Sequence, residues 1–355
     1  MKILITGGNG FIGSAVIRNI LDQGKYKIVN LDDLTYSSSL ASLSGYDKNK
    51  NYYFEKINIC NENIIKNIFI KHQPDKIMHF AAETPVDRSI DSPINFINSN
   101  IFGTYNLLEQ SRFYFSSLKE EKKKNFIFHH ISTDEVFGDL CANDQPFTEN
   151  TPYRPSSPYA ASKASSDHLV RAWHRTYKLP VIISNCSNNY GPYQFPEKFI
   201  PHTILNALHG RHIPIYGNGL QIRDWIYVND HARALLEVLF KGKNGETYNI
   251  GGNNEKKNID VALKICEILN DLVKKKPNNI KKFEKLILFV NDRPGHDTRY
   301  AINSSKINNQ LNWFPNETFE SGILKTVKWY LDNMEWWNKI LIGEYRLERI
   351  GKNDR

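Results

Sequence analysis

Lys2-Ile3-Leu4-Ile5-Thr6 runs straight into Gly7-Gly8-Asn9-Gly10-Phe11-Ile12-Gly13, and residues 14–23 follow with apolar side chains at helical spacing. The first five residues predict a short buried strand, and the glycines after it let the backbone turn tightly and approach a ligand closely. Where such a turn opens a helix, the unpaired first-turn amides and the positive end of the helix dipole favour a phosphate group. A second apolar segment, residues 27–31, ends on Asp32-Asp33. A carboxylate about twenty residues beyond the turn suits the ribose hydroxyls of a dinucleotide and repels a 2′-phosphate, so NAD is expected rather than NADP. Gly7, Gly10, Phe11, Ile12 and Gly13 with Asp32 and Asp33 are the first candidate cofactor residues.

The alternation continues. Residues 52–55 and 76–80 read as strands and residues 62–71 as a helix; Ala81-Ala82-Glu83-Thr84 closes the second strand with small residues that let a cofactor come near. Residues 95–112 read as one long helix, 118–125 as a charged linker, and 126–131 and 181–184 as further strands. Repeated strand-helix-strand units predict an α/β fold with a doubly wound parallel sheet of the Rossmann kind. After Asn185 the texture changes, with prolines at 192, 196, 201 and 214 interrupting regular elements as in ligand-wrapping loops. The expected division is an NAD-binding domain over 1–184 and 221–243, a smaller interleaved α/β substrate domain over 185–220 and 244–340, and a tail over 341–355.

Composition excludes several classes. At 355 residues, 40% hydrophobic and 24% charged, the chain has the balance of a globular enzyme and enough length for two units. The net charge of +8 is spread over loops such as Lys122-Lys123-Lys124 and Lys274-Lys275-Lys276, so no nucleic-acid partner is expected. The four cysteines lie far apart, without metal-ligand spacing; no metal is expected, and a reduced, cytoplasmic setting fits. No segment has the length of a membrane span or the pattern of a signal peptide.

The reactive groups come later. Ser132-Thr133-Asp134-Glu135 follows the strand at 126–131, which places three side chains at the rim where open α/β sheets bind ligands. Read plainly, Thr and Asp there are helix caps. Tyr159 and Lys163 stand four apart and share a helical face. An ammonium beside a phenol favours the phenolate, which would make Tyr159 a base near neutrality. Asp134 and Glu135 exceed what proton abstraction by a tyrosine requires.

With these motifs in this order, the sequence resembles the extended short-chain dehydrogenase/reductase family, and within it the sugar-nucleotide dehydratases. The resemblance covers roughly residues 1–335 and extends through His129-His130-Ile131, Pro155-Ser156-Ser157-Pro158, Asn185 to Pro192, Gln221-Ile222-Arg223-Asp224-Trp225 and Asp292-Arg293-Pro294-Gly295-His296. It implies a hydro-lyase acting on a nucleotide sugar, dTDP-glucose, with Thr133, Asp134, Glu135, Tyr159 and Lys163 catalytic. Tyr159 would take the O4 proton, Glu135 the C5 proton, and Asp134 would protonate the departing O6. Cofactor contacts are implied at Leu34, Thr35, Asn58, Ile59, Phe80, Ala81, Ala82, Glu83, Thr84, Ser99 and Asn189, besides the glycine turn, Asp32, Asp33, Tyr159 and Lys163. Substrate contacts are implied at Thr84, Thr133, Asn188, Lys198, Phe199, Pro214, Ile215, Tyr216, Arg223, Asn258, Asp292, Arg293, Pro294, Gly295 and His296. Relatives usually carry Asp where Asn58 stands, His where Pro85 stands and Tyr where Phe137 stands. The resemblance also implies a homodimer joined through helices at 95–112 and 162–177. A 4-epimerase, a dehydratase of UDP or GDP sugars, and a non-catalytic NAD-binding regulator are the alternatives; the Asp-Glu pair argues against the epimerase, and the intact reactive set against the regulator.

Overall fold

A computed structural model describes residues 1–343 and Leu347, so most of the expected tail lies outside the described residues. The strands are β1 (Lys2–Thr6), β2 (Lys27–Asp32), β3 (Tyr52–Lys56), β4 (Lys76–His79), β5 (Ile127–Thr133), β6 (Val181–Cys186) and β7 (Asn188–Tyr190). They are followed by β8 (Ile213–Tyr216), β9 (Ile222–Tyr227), β10 (Thr247–Ile250), β11 (Glu255–Lys257), β12 (Ile287–Val290) and β13 (Arg299–Tyr300). Seven of them form one parallel sheet in the order β10-β6-β5-β4-β1-β2-β3. The chain steps outward from β1 to β3, returns to β4 on the other side of β1, and proceeds the other way. That reversal opens a crevice at the carboxyl ends of β1 and β4, the expected ligand position in a doubly wound sheet.

Each face of the sheet has its own core. Helices Phe11–Gln23 and Val228–Lys241 pack Val16, Ile20, Leu235 and Leu239 against Ile3, Ile5 and Ile182 on one face. Helices Glu62–His72, Gly103–Ser117 and Pro158–Tyr177 pack Ile65, Phe69, Leu107 and Val170 against Leu4, Ile77, Phe128 and Val181 on the other. A second layer holds a four-stranded sheet, β11-β9-β13 with β7 beside β9, and the pair β12-β8. Its core includes Trp225, Ile204, Ile265, Phe283, Tyr330 and Trp337.

Three expectations are corrected. β9 falls in the stretch assigned to the first domain but sits in the smaller sheet, and β10 falls in the stretch assigned to the second but pairs with β6. Burial decides both: Tyr248 and Ile250 of β10 are fully enclosed in the large-sheet core, whereas Trp225 and Tyr227 of β9 face the second core. The helix expected over 95–112 is not uniform. Short helix Pro93–Phe96 passes through a π-helical segment, Ile97–Phe102, before Gly103–Ser117 continues as α-helix. The connector at 274–285 is more than polar linker, since it contains the fully buried Phe283.

Gly7 is the tightest point of the first turn. Its φ is +70°, and a Cβ there would stand 2.7 Å from the amide nitrogen of Ala81. Gly7→Ala is expected to cost about 2–4 kcal/mol through backbone strain and overpacking. Urea denaturation should show a lower midpoint at unchanged slope. A midpoint equal to the parent's would mean that the turn has room.

Candidate active site

β5 delivers the two carboxyls. Thr133 closes the strand and caps the 3-10 turn Asp134–Phe137, its hydroxyl accepting from the Glu135 amide at 3.3 Å, so the plain capping reading and the reactive one both hold. Val136 and Phe137 anchor the turn in a small apolar cluster with Leu140, Phe147, Ala164 and Ile302. Phe137 stacks on Phe147 at 5.1 Å, so this position needs no hydroxyl partner. Gly138 then reverses the chain with φ +92° against the Arg154 carbonyl, where a Cβ would approach within 2.3 Å.

The two neighbours differ electrically. Asp134 is buried, and its Oδ2 has no hydrogen-bond partner; its Oδ1 receives only the Thr133 hydroxyl at 3.4 Å. Burial, then the charges of Glu135 and Asp224, push its pKa well above the carboxylate range. Glu135, half-open to the cleft, is also raised by burial, but Arg293, Lys198 and Arg223 all pull it down. One proton shared between them therefore sits on Asp134, leaving Glu135 the better base.

Helix Pro158–Tyr177 brings the other pair, capped by Ser157, whose hydroxyl accepts from Ala160 N, and started by Pro158 at its first position. Tyr159 shares a hydrogen bond with the Thr133 hydroxyl. Its pKa is not lowered by Lys163, contrary to expectation: burial and then Glu135 raise it well above that of a free phenol. The physical reason is where the lysine goes. Its ammonium donates to the Ile131 carbonyl of β5 at 2.9 Å and lies 3.4 Å from His130 Nε2, and burial holds its pKa down to about 8.

One cleft collects the expected cofactor residues. Gly7, Gly10, Phe11, Ile12, Gly13, Asp32, Asp33, Thr35, Asn58 and Ile59 line it, as do residues 80–84, Ser99, Tyr159, Lys163 and Asn189. Leu34 does not; its backbone amide donates to Asp32 Oδ1 at 2.8 Å instead. The π-helical segment brings Ser99 to the lining and lets the Asn100 side chain clamp both backbone groups of Glu83, at 2.8 and 3.0 Å. Asn58 donates to Asp33 at 2.8 Å, a bond that an Asp at this position would replace by repulsion. Residues and chemistry fit an NAD: Gly10 leaves the first amides of helix Phe11–Gln23 without a side-chain cap, and Asp32 ends β2 beside them.

Of the expected substrate residues, Thr84, Thr133, Asn188 and Lys198 line this same cleft. Arg223 and Arg293 do not line it but act on its carboxyls. Arg223 is held by the carbonyls of Ile222, Thr298 and Asp297 and lies over the Tyr300 ring at 4.3 Å. Arg293 pairs with Asp87 at 3.0 Å, while its Nε has no partner. Tyr216 donates to Asp87 at 3.4 Å, and His296 meets Asp292 at 2.6 Å with its pKa held down to about 4 by burial. Pro294 and Gly295 complete that loop, and Pro214 and Asn258 lie at the starts of β8 and of helix Asn258–Leu272. Ile215 and Phe199 turn into the second core, so Ile215 can offer a ligand only its backbone.

Sequence reading missed Ser132, Cys186, Ser187, Gln194, Phe195 and Glu197 in the lining, although the irregular loop after Asn185 was the available signal. It also missed Asp87. Glu197 accepts from Tyr36 at 3.0 Å and Arg88 at 3.2 Å, contacts across more than a hundred residues that no local pattern announces.

The family model described as GDP-mannose 4,6 dehydratase matches residues 4–326. The chain is similar to a dTDP-glucose 4,6-dehydratase of Escherichia coli, 60% identical over 359 residues and 99% of each chain. Its fold is similar to two crystallised proteins named dTDP-glucose 4,6-dehydratase. One, from Bacillus anthracis in complex with NAD, is 44% identical with a TM-score of 0.83 over 96% of this chain and 99% of that one. The other, from Streptomyces venezuelae with NAD and TYD bound, is 37% identical with a TM-score of 0.86 over 96% and 100%.

Because Asp134 binds its proton more tightly folded than unfolded, its contribution to stability is full below the ordinary carboxyl pKa and lost as pH rises through the folded value. Asp134→Asn, which needs no proton, is therefore expected to raise the thermal midpoint more at pH 8 than at pH 5. Melts of both proteins at the two pH values check this; equal gains would mean that Asp134 titrates normally.

Proposed function

The chain belongs to the GDP-mannose 4,6 dehydratase family, and on that premise we propose that its cleft dehydrates a nucleotide-linked hexose across C5 and C6. The substrate is dTDP-glucose, the product dTDP-4-keto-6-deoxy-glucose plus water, and the enzyme an NAD-dependent hydro-lyase. The observation that carries the mechanism is the unequal pair at the end of β5, Asp134 enclosed with an unpartnered oxygen and Glu135 half-open to the cleft and faced by Arg293, Lys198 and Arg223.

NAD, when bound, would supply a two-electron acceptor for C4, the same two electrons for C6 afterwards, and a positive charge that favours ionised Tyr159. Tyr159 takes the O4 proton, with the Thr133 hydroxyl sharing its oxygen, so that C4 becomes a ketone. The ketone acidifies the C5 hydrogen. Glu135 removes it while Asp134 hands its proton to the O6 hydroxyl, which leaves as water. C6 is then reduced, and Glu135 returns its proton to C5. The three cations that favour ionised Glu135 belong to segments outside the cofactor half: Lys198 precedes helix Phe199–Leu208, Arg223 lies on β9, and Arg293 in the loop after β12. In this reading the two guanidiniums also meet the diphosphate, Arg293 through its unpartnered Nε. A 4-epimerase has no use for the carboxyl pair.

The homodimer is part of the same proposal. Ile94, Ile97, Phe102, Tyr105 and Phe113 are exposed along residues 93–117, and Tyr177 is exposed at the end of the neighbouring helix; these apolar faces support an interface between two copies. A cytoplasmic setting accords with the four unpaired cysteines. Among the described residues, no helix is long and apolar enough to cross a membrane, and no group of three or more acidic, His or Cys side chains could hold a metal ion.

Glu135→Gln is expected to allow oxidation at C4 while slowing water loss by about 10²–10⁴-fold. NMR of the sugar should show a 4-keto-glucose nucleotide without deuterium uptake at C5 in heavy water; normal dehydration would remove Glu135 from its role. Offered dTDP-glucose, UDP-glucose and GDP-mannose in parallel, the protein should form a keto-deoxy product fastest from the first. Equal or faster turnover of another would reassign the base preference.

A further inference from the structure

Behind the cleft wall, three buried groups stand in line. Lys163 Nζ lies 3.4 Å from His130 Nε2, and the same Nε2 lies 3.2 Å from Asp167 Oδ1. Tyr159, Lys163 and Asp167 recur every four residues on helix Pro158–Tyr177 and so share one face. The reaction as described uses neither His130 nor Asp167. Yet the side chains of both are completely buried.

Asp167 is built to be an anion. Its Oδ2 accepts from the Ser132 hydroxyl at 2.9 Å, the Tyr153 hydroxyl at 2.8 Å and the Asn185 amide at 3.3 Å. Donors of this number favour the charged carboxylate. His130 between them is neutral, since burial and Lys163 hold its pKa down to about 4. Its Nε2 stands between the Lys163 ammonium and the Asp167 carboxylate, 3.4 Å from one and 3.2 Å from the other, so only a neutral ring separates the two opposite charges. The groups that face Lys163 come from four elements: His79 from β4, His130 and the Ile131 carbonyl from β5, Cys186 from β6, and Asp167 from its own helix. Arg171 stands one turn beyond, donating to the Tyr153 hydroxyl at 2.7 Å. Of these groups Asp167 alone is negative.

We propose that Asp167 is a positioning residue for Lys163: across the neutral His130 ring, from behind the wall, it supplies the counter-charge that keeps the ammonium charged and seated on the Ile131 carbonyl, facing the cleft. This rests on the reading of Lys163 as part of the NAD site. Burial opposes the charge on Lys163, and Asp167 is the largest influence that restores it. A carboxylate that merely braced the helix would leave the lysine's titration untouched.

The test is a ¹³Cε-lysine NMR titration of the full chain, with the Lys163 resonance assigned by its loss in Lys163→Met. In Asp167→Asn the midpoint is expected to fall by about one pH unit or more, the size of one unit charge removed at this separation in a buried site. Arg171→Gln, at a half-buried position, removes a cation from the same network and should move the midpoint upward by less. An unmoved midpoint in Asp167→Asn overturns the proposal. Should that variant fail to fold, an unmoved or lowered midpoint in Arg171→Gln overturns it instead. Keto-sugar formation by the parent is scored separately, so a failure there strikes the functional reading and leaves the titration to judge Asp167.

Discussion

Two carboxyls in adjacent positions, enclosed at the end of one strand, cannot both be ionised at ordinary cost. Asp134 and Glu135 are placed so that the conflict resolves in one direction. Three cations stand toward Glu135, while Asp134 is buried with an unpartnered oxygen. Moving the apolar cluster under Val136 and Phe137 would disturb both at once, because the same short turn that carries the charges is anchored by it.

The doubly wound sheet supplies one side of this arrangement and the second layer the other. β1, β2 and β4 with their loops form one wall of the cleft, and β5 and helix Pro158–Tyr177 bring Thr133, Asp134, Glu135, Tyr159 and Lys163 to its lining. Arg223 comes from β9, which pairs with β11 and β13, and Arg293 from the loop after β12, which pairs with β8 in a separate sheet. Their guanidiniums are fixed by contacts that have little to do with ligand: three backbone carbonyls for Arg223 and Asp87 for Arg293. Pre-fixed cations lose less freedom when an anion arrives, which is the general advantage of preorganised sites.

The halves of the molecule differ in how legible they were in the sequence. The glycine turn at 7–13, Asp32 and the Thr133-Asp134-Glu135 run follow local rules, and strand, turn and helix stand where those rules put them. Helical spacing sets Lys163 on the face of Tyr159, but its ammonium donates to the strand carbonyl of Ile131, 32 residues earlier, which no local pattern announces. The π-helical segment was unreadable because a single extra residue per turn leaves the apolar spacing of residues 95–112 almost unchanged. Strands β9 and β10 were assigned to the wrong units because sheet membership depends on pairing partners far along the chain, and Glu255 opposite Asp224 leaves no mark in either local stretch.

The placement of β10 has a consequence for how the chain is made. Until residues Thr247–Ile250 leave the ribosome, β6 is the outermost strand of the large sheet, with a row of unpaired amides and carbonyls beside apolar side chains. Such an open edge is a template for pairing with a neighbouring nascent chain. The stretch synthesised in that interval, residues 187–246, builds β7, β8 and β9 of the other layer and the helix Val228–Lys241 that covers one face. Completion of the large sheet thus waits on a segment born after the first strands of the second layer, and the two layers are interlaced in time as well as in space.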